Sequence, residues 1–116
     1  MTMLRMHPDE VVWEPFPMAA EQLVDGAPDA QVHWLFRSPP GQRPYWTGLW
    51  RVQPSTFRWH FLVHETAHVL AGRVRIVAED GTVMELRAGD VAHFVKGART
   101  VWEVTEPLTK FFVEAG

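Results

Sequence analysis

The sequence contains no cysteine, which excludes disulfide bonds and thiolate chemistry. It also lacks an apolar run of signal-peptide or membrane-spanning length, so we expect a cytoplasmic protein with no membrane partner. There is no excess of positive charge, since the net charge is near −3. A nucleic-acid partner would require a clustered basic surface. We therefore expect no nucleic-acid partner.

Tryptophan, in contrast, is abundant. Six tryptophans occur in 116 residues, and apolar residues make up 47% of the chain. This length suffices for one compact core and is too short for two ordinary domains. So many large aromatic side chains indicate an aromatic core, a lined pocket or an interface, and they favour pairing of two subunits as a homodimer.

The first 30 residues differ from the rest of the chain. Pro8, Pro15, Pro17 and Pro28 interrupt short apolar patches, which disfavours a long helix or a central strand. We predict that residues 1–30 form an extended arm packed on a domain comprising residues 31–116. The arm is expected to hold at most a short helical turn between Met18 and Leu23.

From residue 31 onward, short β-rich runs alternate with turn residues. The runs are QVHWLFR, YWTGLWRV, FRWHF, ETAHVLAG, RVRIVAE, TVMELR, DVAHFV, TVWEV and TKFFVEA, separated by stretches such as PS, DG, AGD, KGA and EP. Asp80-Gly81 between two alternating runs predicts a tight hairpin. The pattern predicts an all-β sandwich or a small antiparallel barrel.

The stretch HETAH, residues 64–68, matches the zinc-peptidase pattern H-E-x-x-H. That motif requires a helix, which places positions i and i+4 on one face. In a strand, His64 and His68 would lie roughly 13 Å apart, too far to share one ion. The following valines, isoleucine and glycine favour a strand, so we interpret the match as a coincidence of spacing.

The same residues resemble the two motifs of the cupin superfamily. Glu65, six residues and Gly72 fit the end of the first motif, and Gly89-DVAHFVK-Gly97 is similar to the second. GLWRVQPSTFRW, HVLAGRV and the "WEV" after the second motif look like the single-domain cupins grouped with (S)-ureidoglycine aminohydrolase and the ethanolamine-utilisation cupin. The resemblance covers about residues 31–113. It implies an antiparallel double-stranded β-helix, the RmlC-like jelly-roll barrel.

The metal ligands of that superfamily are largely missing. Counting back from Glu65 places either Trp59 and Phe61 or Arg58 and His60 at the first-motif histidine positions. The second-motif histidine position falls on Thr100. We therefore expect no firm cofactor, with a divalent metal kept as an alternative for which His60, His64 and Glu65 are the candidates.

The resemblance also predicts where a ligand would lie. The expected pocket consists of Trp59, Phe61, Glu65, His93, Thr100 and Trp102. Glu65 is the candidate catalytic residue, since a carboxylate inside an aromatic barrel needs either a raised pKa or a partner. Its alternative role is a salt bridge at the strand end, to Arg58 or Arg73. Each histidine is alternatively a hydrogen-bonded surface residue.

Three functions are compatible with these residues. The preferred one is a binding module or weak, metal-independent enzyme for a small polar metabolite. The second is a metal-dependent enzyme like the ureidoglycine aminohydrolases, acting on a small ureido or amino compound. The third is a non-catalytic regulatory or partner-binding subunit, with Trp34, Trp46 and Trp50 in a dimer sheet or an outer wall.

Overall fold

The computed structural model describes residues 2–116, which form nine strands and one turn of 3-10 helix. The helical turn is Ala20–Gln22. The strands are β1 (Glu14–Pro15), β2 (Leu23–Gly26), β3 (Gln31–Arg37), β4 (Tyr45–Val52), β5 (Ser55–His60), β6 (His64–Ala78), β7 (Val83–Arg87), β8 (Val91–Phe94) and β9 (Arg99–Ala115).

Two long strands, β6 and β9, belong to both sheets of the fold. The first sheet runs β1-β3-β4, then the C-terminal half of β9, the N-terminal half of β6, and β8. The second runs β2-β5, then the N-terminal half of β9, the C-terminal half of β6, and β7. All pairings are antiparallel, and the predicted jelly-roll barrel is confirmed.

The bend in β6 occurs at Gly72. The register with β9 shifts on both sides of this residue, and Gly72 has a φ of 91°. A side chain there would collide with the backbone of Pro107. Only glycine fits this crossing, because the backbones of two strands meet where both change sheets.

The sequence patterns predicted breaks where the structure has continuous strands. The runs ETAHVLAG and RVRIVAE form one strand, and the Glu106-Pro107 separator lies inside β9. Pro107 has no register partner in β4 or β6, so its missing N–H interrupts no pairing. Turn residues here mark a bend within a strand.

The Asp80-Gly81 hairpin is confirmed. It joins β6 to β7 with Val77 opposite Val83. The N–H of Gly81 donates to the carbonyl of Ala78 at 2.9 Å. The N–H of Thr82 donates to Asp80 Oδ1 at 2.9 Å, and this hydrogen bond lowers the pKa of Asp80.

The N-terminal segment joins both sheets. β1 pairs with β3, β2 pairs with β5, and the helical turn lies between residues 18 and 23. The Arg51 guanidinium lies 4.2 Å from the centre of the Trp13 ring, and the Phe16 N–H donates to the Ala30 carbonyl at 2.8 Å. These contacts direct the Phe16 side chain toward the interior.

The core lies between the two sheets and follows the alternation of the strands. In β5, Phe57 and Trp59 face inward while Arg58 and His60 are exposed. Most inward positions are apolar, but Glu65 and Lys110 are also buried. Residues 2–116 contain no helix with the length and hydropathy needed to cross a bilayer.

Candidate functional site

A buried ion pair joins the central strands of the barrel. Glu65 on β6 and Lys110 on β9 both occupy inward positions, and Lys110 Nζ lies 2.5 Å from Glu65 Oε2. Both side chains are more than nine-tenths buried. Each charge has lost its hydration, so each depends on the other for stabilisation.

The ammonium group of Lys110 is also enclosed by indole rings. Its Nζ lies 4.8 Å from the ring centre of Trp50 and 4.9 Å from that of Trp102. The faces of both rings attract a cation, and their bulk excludes water. The two tryptophans thus hold the lysine in a fixed position.

A third ionisable group, Glu114, completes the cluster. It lies directly opposite Glu65 in the β6–β9 register. The pKa of Glu114 is raised to about 7, mainly by burial and also by the nearby Glu65 carboxylate, while Lys110 partly offsets these effects. At neutral pH this carboxyl group can both give and accept a proton.

A small cavity opens beside these three groups. Its volume is about 20 Å³, room for one or two water molecules. The walls are mainly aromatic; besides the three ionisable residues they comprise Phe16, Val32, Trp34, Trp50, Phe57, Trp59, Trp102 and Phe112.

One residue of the cavity wall has an unused donor. Trp50 Nε1 is buried and has no hydrogen-bond partner among residues 2–116. A buried N–H without an acceptor is destabilising, and such groups in native proteins normally meet water or a ligand. Because Trp50 lines the cavity, this N–H is the candidate donor for an acceptor atom that enters it.

Residues behind the wall position the tryptophans. Trp102 Nε1 donates to Thr100 Oγ1 at 3.0 Å, and that hydroxyl donates to the Trp59 carbonyl at 2.8 Å. Phe61 stacks on Phe94 with 4.6 Å between ring centres. Of the six predicted pocket residues, Trp59, Glu65 and Trp102 line the cavity, whereas Thr100 and Phe61 support it from behind.

The sixth predicted pocket residue, His93, lies outside the cavity. Its strand β8 alternates, with Ala92 and Phe94 inward and His93 exposed on the outer face. His93 Nδ1 lies 2.9 Å from Thr66 Oγ1. The expectation that His93 contacts a ligand in the barrel is therefore corrected, because His93 lies on the outer face of β8.

The histidines of the candidate metal site and of the HETAH stretch are also exposed. His60, His64 and His68 all point to the outer face of their strands. His64 Nδ1 accepts a hydrogen bond from the Lys96 N–H at 3.1 Å. The HETAH stretch lies in β6, an extended strand without the helical geometry of a zinc peptidase.

The usual donor set of a cupin metal centre is not assembled. Trp59 and Phe61 face inward, and with Thr100 they fill the positions that the cupin resemblance assigns to histidines, while Glu65 is paired with Lys110. Within residues 2–116, no group of three His, Cys, Asp or Glu side chains could hold an ion. These residues do not fit a transition metal, which prefers three or more nitrogen or oxygen ligands.

Two further expectations need correction. The partner of Glu65 is Lys110, whereas Arg73 pairs with Glu106 on the surface. Trp50 belongs to the core and lines the cavity, so it is not part of an outer wall.

The predicted site residues do not include Lys110 and Glu114, although the alternation of residues in the last strand indicates that both face inward. Leu108, Lys110, Phe112 and Glu114 share one parity in the last strand, and the two apolar members mark that face as inward.

A jelly-roll barrel of two antiparallel sheets is an architecture that cupins share with lectin and viral capsid domains. The EutQ-like cupin domain matches residues 40–112, well over half of the chain. The protein therefore belongs to the EutQ-like cupin family. No functionally curated protein matches it significantly.

Several solved structures share the fold. A DUF861-family protein from Pseudomonas syringae has a TM-score of 0.79 and 21% identity, covering 90% of this chain and 45% of that one. The EutQ protein of Clostridium difficile has a TM-score of 0.65 and 19% identity, covering 83% and 76%. A DUF861-family protein from Thermotoga maritima is 29% identical with a TM-score of 0.52, covering 70% and 96%.

Proposed function

We propose that the protein binds one small polar molecule inside the barrel, at the cavity beside Glu65, Lys110 and Glu114. The observation that carries this proposal is the unused N–H of Trp50, a residue that lines the same space as three ionisable side chains. A core built only for stability would fill such a space with apolar side chains.

The charges of the cluster favour a neutral ligand group. Glu65 and Lys110 neutralise each other, and the Glu114 carboxyl is partly protonated near neutral pH. An anionic group placed here would meet two carboxyl groups. A carbonyl, amide or hydroxyl group instead accepts from Trp50 and exchanges a hydrogen bond with Glu114.

Indole N–H resonances provide a direct test. Titration with acetamide or urea should shift the Trp50 indole signal, whereas the Trp13 signal, from the arm outside the cavity, should stay in place. The Glu65→Gln variant should bind more weakly. Unchanged Trp50 signals with a panel of small amides, ureas and alcohols would argue against binding in the interior.

A second candidate function is acid–base catalysis without a metal at the same cavity. It is favoured by the pKa of Glu114, about 7, which suits proton transfer near neutral pH. Glu114 would move a proton to or from the bound molecule while Lys110 stabilises developing negative charge. A reaction of this kind should lose its pH dependence in Glu114→Gln.

The metal-dependent, aminohydrolase-like function is less well supported, because the donor residues do not fit. Metal analysis of the purified protein tests it directly. Stoichiometric manganese, iron, nickel or zinc that is lost in Glu65→Gln would reverse our preference. A non-catalytic, partner-binding role would be favoured if neither Trp59→Ala nor Trp102→Ala altered ligand binding.

A further inference from the structure

A second, open space adjoins the cavity. It is a groove of about 640 Å³ between the end of β3, the start of β4 and the loop that joins them. Its walls are Trp34, Arg37, Ser38, Pro39, Pro40, Gly41, Gln42 and Trp46. The volume lies in the range of ordinary small-molecule pockets.

The groove has a preformed shape. The Ser38 N–H donates to the Tyr45 carbonyl at 3.0 Å, and the Tyr45 N–H donates to Ser38 Oγ at 3.1 Å. Two consecutive prolines restrict the loop between these residues. Because the loop is already restricted, a ligand that binds in the groove causes little further loss of conformational entropy.

Trp34 is shared by the two spaces, because it lines both the groove and the interior cavity. The ring lies 5.7 Å from Phe112 on the cavity side and 6.4 Å from Trp46 on the groove side. The cavity has a volume of only about 20 Å³. A ligand of metabolite size that places one group there must extend beyond it.

Arg37 gives the groove a positive charge. Its guanidinium carbon lies 4.9 Å from the centre of the Trp34 ring, and it has no acidic partner in the described part of the chain. Residues 37–44 include two arginines and no acidic residue. A guanidinium held over an indole ring can present its N–H donors to a carboxylate or phosphate.

We propose that the groove binds the anionic end of a linear ligand whose neutral polar end enters the cavity past Trp34. This inference rests on the proposed function for the interior end. It assigns to Arg37 the recognition of the acidic group, and to Trp34 and Trp46 the contact with the chain between the two ends. The ligand class is thus an acid with a distal amide, carbonyl or hydroxyl group.

The test uses half-amides of linear dicarboxylic acids: succinamate, adipamate and suberamate. Their diamides serve as uncharged controls of equal length. The indole N–H resonances of Trp34 and Trp46 report on the groove, and that of Trp50 reports on the cavity. We expect the longer half-amides to shift all three resonances and to bind more tightly than the diamides.

Substitutions then isolate the charge. Arg37→Gln should weaken half-amide binding about tenfold, and Arg37→Lys should restore part of the loss. Arg43→Gln removes a second arginine from the same loop but lies outside the groove, so it should change the affinity less than about twofold. The dispersed indole signals show in each case that the variant is folded.

The outcomes separate the two proposals. Shifts at Trp50 with equal binding of half-amides and diamides, or with no effect of Arg37→Gln, would overturn the groove inference and leave the interior function standing. Arg37-dependent shifts at Trp34 and Trp46 without any shift at Trp50 would support the anion site and contradict the interior function. No shift for any probe would contradict both.

Discussion

Glu65 and Lys110 determine the polarity of an otherwise aromatic barrel interior. Such a buried pair contributes little net stability, because the desolvation of both groups offsets their attraction. Apolar residues of similar size would pack equally well. The pair is therefore better explained by the polar site that it creates beside Trp50.

Removing one partner should be far more damaging than removing both. Glu65→Gln leaves the buried Lys110 ammonium without its hydrogen-bonded carboxylate, and we expect the free energy of unfolding to fall by about 3–5 kcal/mol. The double variant with Lys110→Met should regain most of that loss. Urea denaturation measures the free energy of unfolding of the single and the double variant.

The surface pair Arg73–Glu106 is the matched control, since both of its side chains are more than half exposed. Glu106→Gln should change the free energy of unfolding by less than about 1 kcal/mol. Equal effects of Glu65→Gln and Glu106→Gln would show that the buried pair has no special role.

Glu114 should make stability depend on pH. Its pKa rises from 4.5 to about 7 on folding, so the folded state binds the proton more tightly. Stability from this group is complete below about pH 4.5 and is lost as the pH rises through 7. We expect a loss of roughly 1–3 kcal/mol over that window, allowing for partial exposure.

Denaturation of the wild type and Glu114→Gln across this pH range isolates the effect. The variant should lack the decline, and the difference between the two curves cancels the contributions of other groups. Parallel curves would mean that the pKa of Glu114 is not raised in the folded protein.

At the scale of structural elements, the N-terminal arm forms part of the cavity wall through Phe16. Phe16 lies 6.4 Å from Trp50 and 6.0 Å from Trp59, measured between ring centres, and closes one wall. Phe16→Ala should increase acrylamide quenching of tryptophan fluorescence and lower the free energy of unfolding by roughly 1–3 kcal/mol.

Val12→Ala is the control for the arm, because Val12 lies in the same segment with 83% of its surface exposed. It should leave both the quenching and the stability unchanged. If Phe16→Ala also left the quenching unchanged, Phe16 would not be the residue that shields the cavity.

The strand crossing at Gly72 is a second feature of this scale. Gly72→Ala combines a positive φ with a collision against Pro107, whereas Gly81→Ala in the hairpin has a φ of 92° and no atom within 4 Å of the added carbon. We expect about 1–2 kcal/mol of destabilisation for Gly81→Ala and at least ~2 kcal/mol more for Gly72→Ala. Thermal unfolding of the two variants gives the comparison, and similar values would contradict the tight crossing.

At the scale of the whole molecule, we propose that two copies associate through the β8 edge. In residues 2–116, β8 pairs only with β6, which leaves its other edge open. Val91 on β8 and Val95 directly after it are 66% and 60% exposed. An open edge with apolar side chains favours pairing with another chain.

Light scattering should therefore give the mass of a dimer, and Val91→Asp should convert it to a monomer. Val83→Asp places the same charge on β7, an edge strand of the other sheet, and should leave the dimer intact. A monomeric wild type, or equal dissociation by both variants, would contradict this interface.

The sequence alone determined the β-rich runs of residues 31–116, the hairpin and the inward direction of Glu65, because these depend on alternation, turn chemistry and motif spacing within a few neighbouring residues. It did not show that β6 and β9 are continuous through their bends. Only the tertiary structure decided which groups surround Glu65. Lys110 and Glu114 lie 45 and 49 positions away along the chain and reach it through the β6–β9 register, while Phe16 arrives from the arm. Local patterns carry no information on register between distant strands, since that depends on how whole faces pack.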